Sequence, residues 1–364
     1  MIKNILTVLF SLLITFILIE LFCRSFFSGE EVKSDFDFTY GAGYGYVCDH
    51  GWCPNEGVYN PIKRLKSGEE IYNVHYTINE DRTRNVPKNM FVEPAFIVNF
   101  FGGSFIYGEG LNDNQTLPFY FRSFAPTVTV RNYGFHGYGL HNALRLIETN
   151  VAKKSNVNVF LTGAYHAYRA ACVPSYSTHH PSYELSKSRL RNTKFISACH
   201  KRQSDEIRYL KWSYFHEIYD IVLRRSYAMQ YALRFLRDGY LVSQISLYQN
   251  IIKDLAVLSS KRGEQVFFLH MREPWVKFLS AGYTSDPMLD FYKDNSIDVL
   301  DASLASDITK IDSKYYLHEL DKHPSALANC HRAKLLVQSF INNGLINVKD
   351  IDKNYSCMGI GMPN

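Results

Sequence analysis

The sequence predicts an α/β fold in which a mostly parallel sheet carries helices on both faces. From residue 96 onward, short apolar strand patterns alternate with helical patterns along the chain. Strands that are separated by helices pair through crossover connections, and such connections produce parallel sheets. The 364 residues, 46% of them hydrophobic, could hold two average domains, and a single α/β domain with insertions fits equally well.

The amino-terminal segment predicts a membrane anchor. Residues from Ile5 to Phe22 are mostly apolar, and about 18 helical residues just span a ~30 Å hydrocarbon core. A cleaved signal peptide is the alternative, but no small-x-small cleavage site follows the run. Leu21 and Phe22 are also too large for lipoprotein processing at Cys23. We therefore expect residues 1–24 to form an uncleaved transmembrane signal anchor, with the remaining chain in the periplasm or outside the cell.

Residues 25–92 indicate a stalk and an irregular β lead-in, because they are rich in glycine and aromatic residues and contain one alternating stretch, Ile71–Ile78. The α/β domain is expected over residues 93–345, with a helical insertion at about 173–262 and a tail over 346–364. Its predicted strands are a run from Phe96 to Gly102, Thr127–Tyr133, Asn158–Thr162, Gln265–His270 and Ile297–Asp301. Its predicted helices are Leu140–Lys154, Asp205–Gly239, Leu241–Ser260 and Ser325–Asn342.

The cysteines agree with an extracytoplasmic domain. Six of the seven lie beyond Cys23, and an even number past an anchor predicts disulfides in an oxidising compartment. Ordinary buried free cysteines are the alternative. The spacing contains no CxxC and no accompanying histidines, which argues against zinc, and no metal or cofactor is predicted. Several connectivities are possible, and the neighbours in sequence are Cys48 with Cys53, Cys172 with Cys199, and Cys330 with Cys357.

Charge and composition exclude one class of partner. The formal net charge is +5, and Lys and Arg are scattered instead of clustered, so the sequence carries no nucleic-acid-binding footprint. The 26 Tyr and 25 Phe pack the core or line a sugar- or acyl-binding surface. The oligomeric state is left open.

Ser104 is the first candidate for a catalytic residue. Gly102 and Gly103 let the backbone turn sharply at the carboxyl end of a strand, where open α/β sheets bind their ligands. A serine there needs a base. Asp321 and His323 lie just before the last helix, and their spacing lets the carboxylate hold one imidazole nitrogen while the other faces Ser104. Each feature by itself also fits an ordinary strand–turn or a solvated charged loop.

Three sequence blocks together resemble the SGNH (GDSL-type) hydrolases over about residues 96–339, with the helical middle unmatched. The resemblance implies a three-layer α/β/α sandwich with a five-stranded parallel sheet, and ester hydrolysis or acyl transfer through an acyl-enzyme. The blocks are Gly102-Gly103-Ser104 with Tyr107-Gly-Glu-Gly110 and Thr116-Leu-Pro118, then Asn132-Tyr-Gly-Phe-His-Gly-Tyr-Gly139, then Asp321-Lys-His-Pro-Ser-Ala326.

The resemblance also implies roles for single residues. Ser104 is matched to the nucleophile, His323 to the base and Asp321 to the partner that orients the base. The oxyanion hole is matched to the backbone N–H of Ser104 and to that of Gly137, with Gly134 as the alternative.

The sequence departs from the family at the third block. The family supplies an Asn side chain to the oxyanion hole there, whereas the run from Gly163 to Arg169 contains none. Membrane-bound and polysaccharide-modifying relatives resemble this variant, so His166 is the candidate donor. Its imidazole is expected within a few ångströms of the Ser104 hydroxyl, and a structural histidine is the alternative.

Arg169 is the candidate contact for an anionic substrate, or makes a surface ion pair. Glu109 is interpreted as a loop-ordering residue, and no role is assigned to His136, His141, His179 or His180.

Three functions follow from these observations. The first is an extracytoplasmic serine esterase acting on acyl or acetyl esters of envelope glycans or lipids, with an ester-bearing small molecule or glycan as its partner. The second is acetyl transfer to a polysaccharide through the same triad. The third is a non-catalytic glycan-binding protein on a degenerate fold, which the missing Asn suggests.

Overall fold

The structure is a computed structural model, and it describes residues 2–26, 36–39, 44–48, 51–87, 96–163, 165–172, 179–186, 189–199, 245–271, 285–304, 312–352 and 354–357. The strands are β1 (Phe36–Thr39), β2 (Gly45–Cys48), β3 (Gly51–Pro54), β4 (Gly57–Tyr59), β5 (Ile62–Leu65), β6 (Glu70–Asn73), β7 (Tyr76–Ile78), β8 (Phe96–Phe101), β9 (Val128–Asn132), β10 (Val157–Thr162), β11 (Pro181–Ser186), β12 (Arg189–Ala198), β13 (Gln265–His270) and β14 (Val299–Asp301). The helices are α1 (Ile2–Phe26), α2 (Ser104–Tyr107), α3 (Leu117–Phe124), α4 (Leu140–Glu148), α5 (Tyr165–Ala170), α6 (245–261), α7 (Ser285–Asp294) and α8 (Ala326–Asn342).

A five-stranded sheet in the order β14–β13–β10–β8–β9 forms the centre of the fold, and every pairing in it is parallel. This agrees with the parallel sheet expected from the alternating patterns. The chain runs outward from β8 to β9 on one side, then returns to β10 on the other side of β8. The loops that leave β8 and β10 therefore diverge, and a crevice forms at the carboxyl ends of these strands.

Helices cover both faces of this sheet and produce three layers. Alternating side chains of the strands point to opposite faces: Phe101 and Phe160 belong to one apolar cluster, and Phe100 belongs to the other. The first cluster packs against α4, α6 and α7, and the second packs against α3 and α8. The last helix begins where proline and serine predict it, since the Ser325 side chain accepts a hydrogen bond from the backbone N–H of Ala328.

The lead-in forms short antiparallel sheets that pack beside the α/β domain. One of them has the strand order β1–β5–β6, and the others pair β2 with β3 and β4 with β7. A backbone bridge between Arg84 and Asn132 ties this region to β9. Its position beside the carboxyl ends of the central strands brings side chains of the lead-in to the candidate site.

The insertion is not wholly helical. Strands β11 and β12 pair in antiparallel fashion within it, where the sequence analysis expected a helical insertion. Helix α6 matches the predicted helix Leu241–Ser260 within the described residues, whereas the predicted helix Asp205–Gly239 lies outside them.

The predicted transmembrane anchor is wrong. Among the residues that the structure describes, no helix is long and apolar enough to cross a membrane. The prediction counted residues 5–22 as one apolar run although the charged Glu20 lies within it. The uncharged stretch between Lys3 and Glu20 would cover about 24 Å as a helix, less than a ~30 Å hydrocarbon core. The expected contact with a membrane through this helix is likewise not supported.

The predicted disulfides are confirmed. Each pair of sequence neighbours is bonded, with Cα–Cα distances of 6.0, 5.4 and 5.8 Å. The first bridge links β2 to β3, the second links the end of α5 to the residue after β12, and the third links α8 to the C-terminal segment. The pairs are Cys48–Cys53, Cys172–Cys199 and Cys330–Cys357.

Candidate active site

Ser104 lies at the carboxyl end of β8, next to the point where the strand order reverses. It is the first residue of the short helix α2 and is only 6% exposed. Gly103 before it allows a close approach of two other groups. A Cβ atom at this position would lie 2.4 Å from Nη1 of Arg169 and 2.7 Å from the carbonyl oxygen of Tyr138. The glycine thus lets the serine turn pack directly against the neighbouring loops.

The loop after Ser104 is held by a buried arginine. Arg84 is 1% exposed, and its guanidinium donates to the carbonyl oxygens of Tyr107, Gly108 and Leu111 at 2.7, 2.7 and 2.5 Å. Its Nε donates to a carboxylate oxygen of Asp113 at 3.1 Å. Because one planar group binds three carbonyls and a carboxylate, the turn that carries the serine is fixed in one conformation.

His323 connects the serine to a carboxylate. Its Nε2 lies 2.9 Å from the Ser104 Oγ, and its Nδ1 lies 2.5 Å from Oδ1 of Asp321. The same carboxylate oxygen accepts the backbone N–H of His323 at 3.1 Å, which fixes the local turn. The structure therefore brings together the three residues that the sequence selected, in the order carboxylate, imidazole and hydroxyl.

The second oxygen of Asp321 contacts a residue that the sequence did not suggest. Lys63 on β5 places its Nζ 2.6 Å from Oδ2, and both side chains are almost fully buried. Burial by itself raises the pKa of Asp321, but the neighbouring His323 and Lys63 outweigh it and lower the pKa to about 2. Asp321 is therefore ionised at all physiological pH values.

A second carboxylate lies on the other side of His323. Oε2 of Glu109 is 3.3 Å from Nε2 of His323 and 2.7 Å from Nδ1 of His136. The hydroxyl of Tyr72 is 3.5 Å from the other oxygen. Burial raises the pKa of Glu109, but the two imidazoles outweigh burial and hold it well below its usual value.

Glu109 acts to raise the pKa of both histidines, but their net shifts have opposite directions. Burial lowers the pKa of His136, and the carboxylate does not make up for it. For His323, burial also acts to lower the pKa, but Glu109 and Asp321 together raise it to about 10. One carboxylate thus stabilises one imidazolium, that of His323, while His136 stays neutral near pH 7.

The two glycines considered for the oxyanion hole differ in what their N–H groups do. The N–H of Gly134 already donates to Oδ1 of Asn132 at 2.9 Å. Gly137 occupies the third position of a turn closed by Tyr138 N–H and the Phe135 carbonyl at 3.2 Å, with a φ of 74° that favours glycine. Gly137 is therefore the better candidate for a donor at the site.

His166 does not make the contact expected of it. Both ring nitrogens are buried, and neither has a hydrogen-bond partner among the residues that the structure describes. The run forms helix α5, which directs the imidazole into the protein, with the Tyr165 ring 4.3 Å away. Burial and the nearby Arg169 hold the pKa of His166 well below its usual value. The expected hydrogen bond to the Ser104 hydroxyl is absent.

Arg169, on the same helix, lies beside the serine turn. Its Nη1 donates to the Tyr138 carbonyl at 2.5 Å, and its guanidinium lies 4.6 Å from the centre of the Tyr165 ring. The close approach to Gly103 places this positive charge next to the peptide that precedes Ser104. Arg169 is half-buried.

Sequence reasoning missed two residues of the site and underestimated a third. Lys63 stands in a short strand with nothing in the sequence to mark it. His136 was assigned no role. Glu109 was interpreted as ordering a loop, although its position five residues after Ser104, within the block that resembles the family, was the one available signal of its nearness.

Comparisons with known proteins give weak structural matches. No protein-family model matches the chain, and no curated protein matches it. A lipolytic protein of the G-D-S-L family from Veillonella parvula is 12% identical, covering 68% of this chain and 98% of its own, with a TM-score of 0.38. A GDSL-like lipase from Bacteroides thetaiotaomicron is 10% identical, covering 70% and 92%, with a TM-score of 0.35.

An acetyl xylan esterase from Butyrivibrio proteoclasticus is 8% identical, covering 78% of this chain and 68% of its own, also with a TM-score of 0.35. Similarity at such low TM-scores carries no functional argument. We therefore base the functional proposal on the geometry of the site.

Proposed function

We propose that the protein is a serine ester hydrolase that works through an acyl-enzyme. One observation carries the proposal, the unbroken contact from Asp321 to His323 to Ser104 at 2.5 and 2.9 Å. A serine hydroxyl becomes a nucleophile when an imidazole can take its proton, and the imidazole is effective when a carboxylate fixes its orientation. Both contacts are present here, and the imidazole can take the proton in the fraction of molecules in which His323 is neutral.

Each residue then has a definite task. Ser104 Oγ attacks the ester carbonyl carbon as its proton passes to Nε2 of His323. The carbonyl oxygen becomes an oxyanion, which the N–H groups of Ser104 and Gly137 would stabilise. The C–O bond breaks, the alcohol leaves with the proton from His323, and the acyl group remains on Ser104. Water then attacks this ester with His323 as base, which releases the acid and restores the hydroxyl.

The substrate class follows from compartment and charge. The three disulfides support localisation to an oxidising compartment, either the periplasm or the outside of the cell. Esters available there include acyl and acetyl groups on envelope glycans and lipids, and we propose these as substrates. Arg169 beside the serine turn would contact an anionic group of such a substrate. The same triad could pass the acyl group to a sugar hydroxyl, which product analysis with and without an acceptor glycan distinguishes.

The test is covalent labelling of the full chain with a fluorophosphonate, followed by peptide mapping. We expect the adduct on Ser104, and we expect labelling and p-nitrophenyl acetate turnover to vanish in Ser104→Ala. Ser123→Ala is the matched control, since Ser123 lies on α3 and its hydroxyl donates to the Phe119 carbonyl of the same helix. Labelling should be run at pH 7 and pH 9, because His323 is largely protonated at pH 7. An adduct on another serine, or labelling that survives in Ser104→Ala, would contradict the proposal and favour a non-catalytic binding protein.

A further inference from the structure

We propose that Lys63 is a positioning residue of the triad, and that the lead-in sheet which carries it belongs to the catalytic unit. The inference rests on the proposed function, because it assigns Lys63 a task toward Asp321 during catalysis. Nothing in the sequence resemblance assigns a lysine to this place. The inference depends on three observations: the contact with Asp321, the way the strands deliver the lysine, and the balance of charge around His323.

The contact with Lys63 means that both oxygens of the Asp321 carboxylate are held. Oδ1 of Asp321 binds Nδ1 of His323, and Oδ2 binds Nζ of Lys63 at 2.6 Å. The Lys63 and Asp321 side chains are 4% and 2% exposed. A carboxylate held through one oxygen can rotate about its Cβ–Cγ bond, whereas one held through both oxygens cannot. Lys63 therefore keeps Oδ1 aimed at the imidazole.

Residues of the lead-in strands surround the Lys63 side chain. Phe38, Lys63 and Tyr72 stand opposite one another on β1, β5 and β6. The ammonium group lies 4.3 Å from the centre of the Phe36 ring and 4.5 Å from that of Phe38, distances at which aromatic faces stabilise a cation. The pairing of β5 with β6 shifts register directly after Lys63, and such irregularities re-aim side chains next to functional sites.

Stability alone does not explain a lysine here. A buried ion pair loses hydration on both sides, and well-packed apolar residues of similar volume are often as stable or more stable. Apolar side chains in place of both Lys63 and Asp321 would serve the fold equally well. A charged residue at this position is therefore better explained by its effect on Asp321.

The charges around His323 show what that effect is. Two carboxylates face the imidazole: Asp321 on the same loop, and Glu109 on the loop after α2, with the neutral His136 behind Glu109. Lys63 on β5 is the cation that offsets Asp321. Without it the uncompensated negative charge would hold the proton on His323 more tightly, and less of the base would be free at a given pH.

The experiment compares Lys63→Met, Lys63→Arg and the control Arg64→Met in the full chain. Arg64 is the next residue of β5, but its side chain is exposed and pairs with the exposed Glu70. Turnover of p-nitrophenyl acetate is measured from pH 5 to pH 10, and active sites are counted with the fluorophosphonate. Each variant is also made in an Asp321→Asn background.

For Lys63→Met we expect kcat per active site to fall about 10- to 100-fold, the size of effect that misplacement of a catalytic group produces. The acidic limb of the kcat/KM profile should move to higher pH. Lys63→Arg keeps the charge and should hold the limb near its original position, and Arg64→Met should match the wild type. In the Asp321→Asn background, Lys63→Met should change kcat by less than about threefold, since its effect passes through Asp321.

A merely structural lysine would give a different result. Lys63→Met would then lower the number of active sites without moving the pH profile, and its effect would persist in the Asp321→Asn background; either result would overturn the inference. If Lys63→Met alone does not fold, the test is the kcat of the double variant Lys63→Met/Asp321→Asn relative to that of Asp321→Asn. The double variant can be used because it leaves no uncompensated carboxylate. Absence of Ser104-dependent turnover in the wild type would instead refute the proposed function.

Discussion

Glu109→Gln should make the enzyme faster at neutral pH, although it removes a charged group from the site. Glu109 lies 3.3 Å from the nitrogen of His323 that must accept the serine proton. Two unit charges at this distance attract by about 5 kcal/mol at an effective dielectric constant of ~20, enough to raise a pKa by roughly 3 to 4. This agrees with the His323 pKa of about 10, since Glu109 is the foremost of the groups that raise it.

The size of the effect follows from the fraction of neutral imidazole. With a pKa of about 10, about one His323 in 10³ is neutral at pH 7. Without Glu109 the pKa should fall toward the ordinary value of ~6.5, so that most of the base is neutral at pH 7. A base of lower pKa abstracts protons less well, which cancels part of the gain. We expect a net rise of about 10- to 100-fold in kcat/KM at pH 7.

The assay is the pH dependence of kcat/KM with p-nitrophenyl acetate, which reports the pKa of the free enzyme. The wild type should show an acidic limb that keeps rising toward pH 10, and Glu109→Gln should reach its plateau near neutrality. Glu70→Gln, which removes an exposed carboxylate outside the site, should leave the profile unchanged. A Glu109→Gln enzyme with the wild-type limb and a lower rate would refute this reasoning and would indicate that Glu109 takes part in the chemistry directly.

Three further predictions concern stability and the oxyanion hole. His323 has a raised pKa in the folded state, so its protonation adds up to about 5 kcal/mol to the free energy of unfolding. This contribution is fully present below pH ~6.5 and is lost as the pH rises through about 10. Urea unfolding at pH 6 and pH 10 should therefore show a loss of stability that the Glu109→Gln variant lacks. His166→Ala should destabilise the protein while kcat per active site changes less than about threefold, because His166 makes no hydrogen bond to Ser104; a loss of ~10² in kcat would restore it as an oxyanion donor. Thiol titration of the denatured, unreduced protein should find only Cys23 reactive. Reduction of each of the two disulfides whose cysteines are 27 residues apart should lower the free energy of unfolding by ~2–4 kcal/mol.

The sequence was sufficient for the sheet and for the contact between Ser104 and His323, for one physical reason. Apolar runs bounded by glycine mark strands, and the ends of parallel strands meet at one edge of the sheet. A serine after β8 and an imidazole before α8 were therefore expected to meet, and their atoms lie 2.9 Å apart. The parallel strands were located to within about two residues. Four of them are largely buried apolar runs, whereas β14 at the edge of the sheet is half-buried.

The contacts of the lead-in could not be predicted in the same way. Lys63 and Asp321 are 258 residues apart, and β5 carries no pattern that separates a buried lysine from an exposed one. Its neighbour Arg64 is exposed whereas Lys63 is buried, because successive side chains of a strand point to opposite faces, and the sequence does not show which face is covered. His166 was misplaced because the prediction counted residues from the end of β10, whereas the run forms helix α5 and turns the ring inward.

The transmembrane anchor was predicted wrongly for a different reason. A window of apolar residues was accepted although Glu20 interrupts it, and a charge near the end of so short a run decides whether its length suffices. The disulfide prediction took the anchor as part of its evidence for an oxidising compartment and left the connectivity open. The even number of cysteines beyond Cys23 supports the prediction without the anchor, and the bonded pairs are the sequence neighbours.

The charges of the site explain why Glu109 and Lys63 have opposite effects on the proposed chemistry. Acceleration requires that an interaction be stronger in the transition state than in the ground state. Asp321, with its orientation fixed by Lys63, stabilises the imidazolium that forms as Ser104 attacks. Both carboxylates also stabilise this imidazolium before any substrate arrives, but Asp321 contacts Nδ1 whereas Glu109 contacts Nε2, the nitrogen that must accept the serine proton. The attraction of Glu109 therefore helps to retain a proton on the reacting nitrogen of the resting enzyme, and we expect it to slow the proposed reaction at neutral pH.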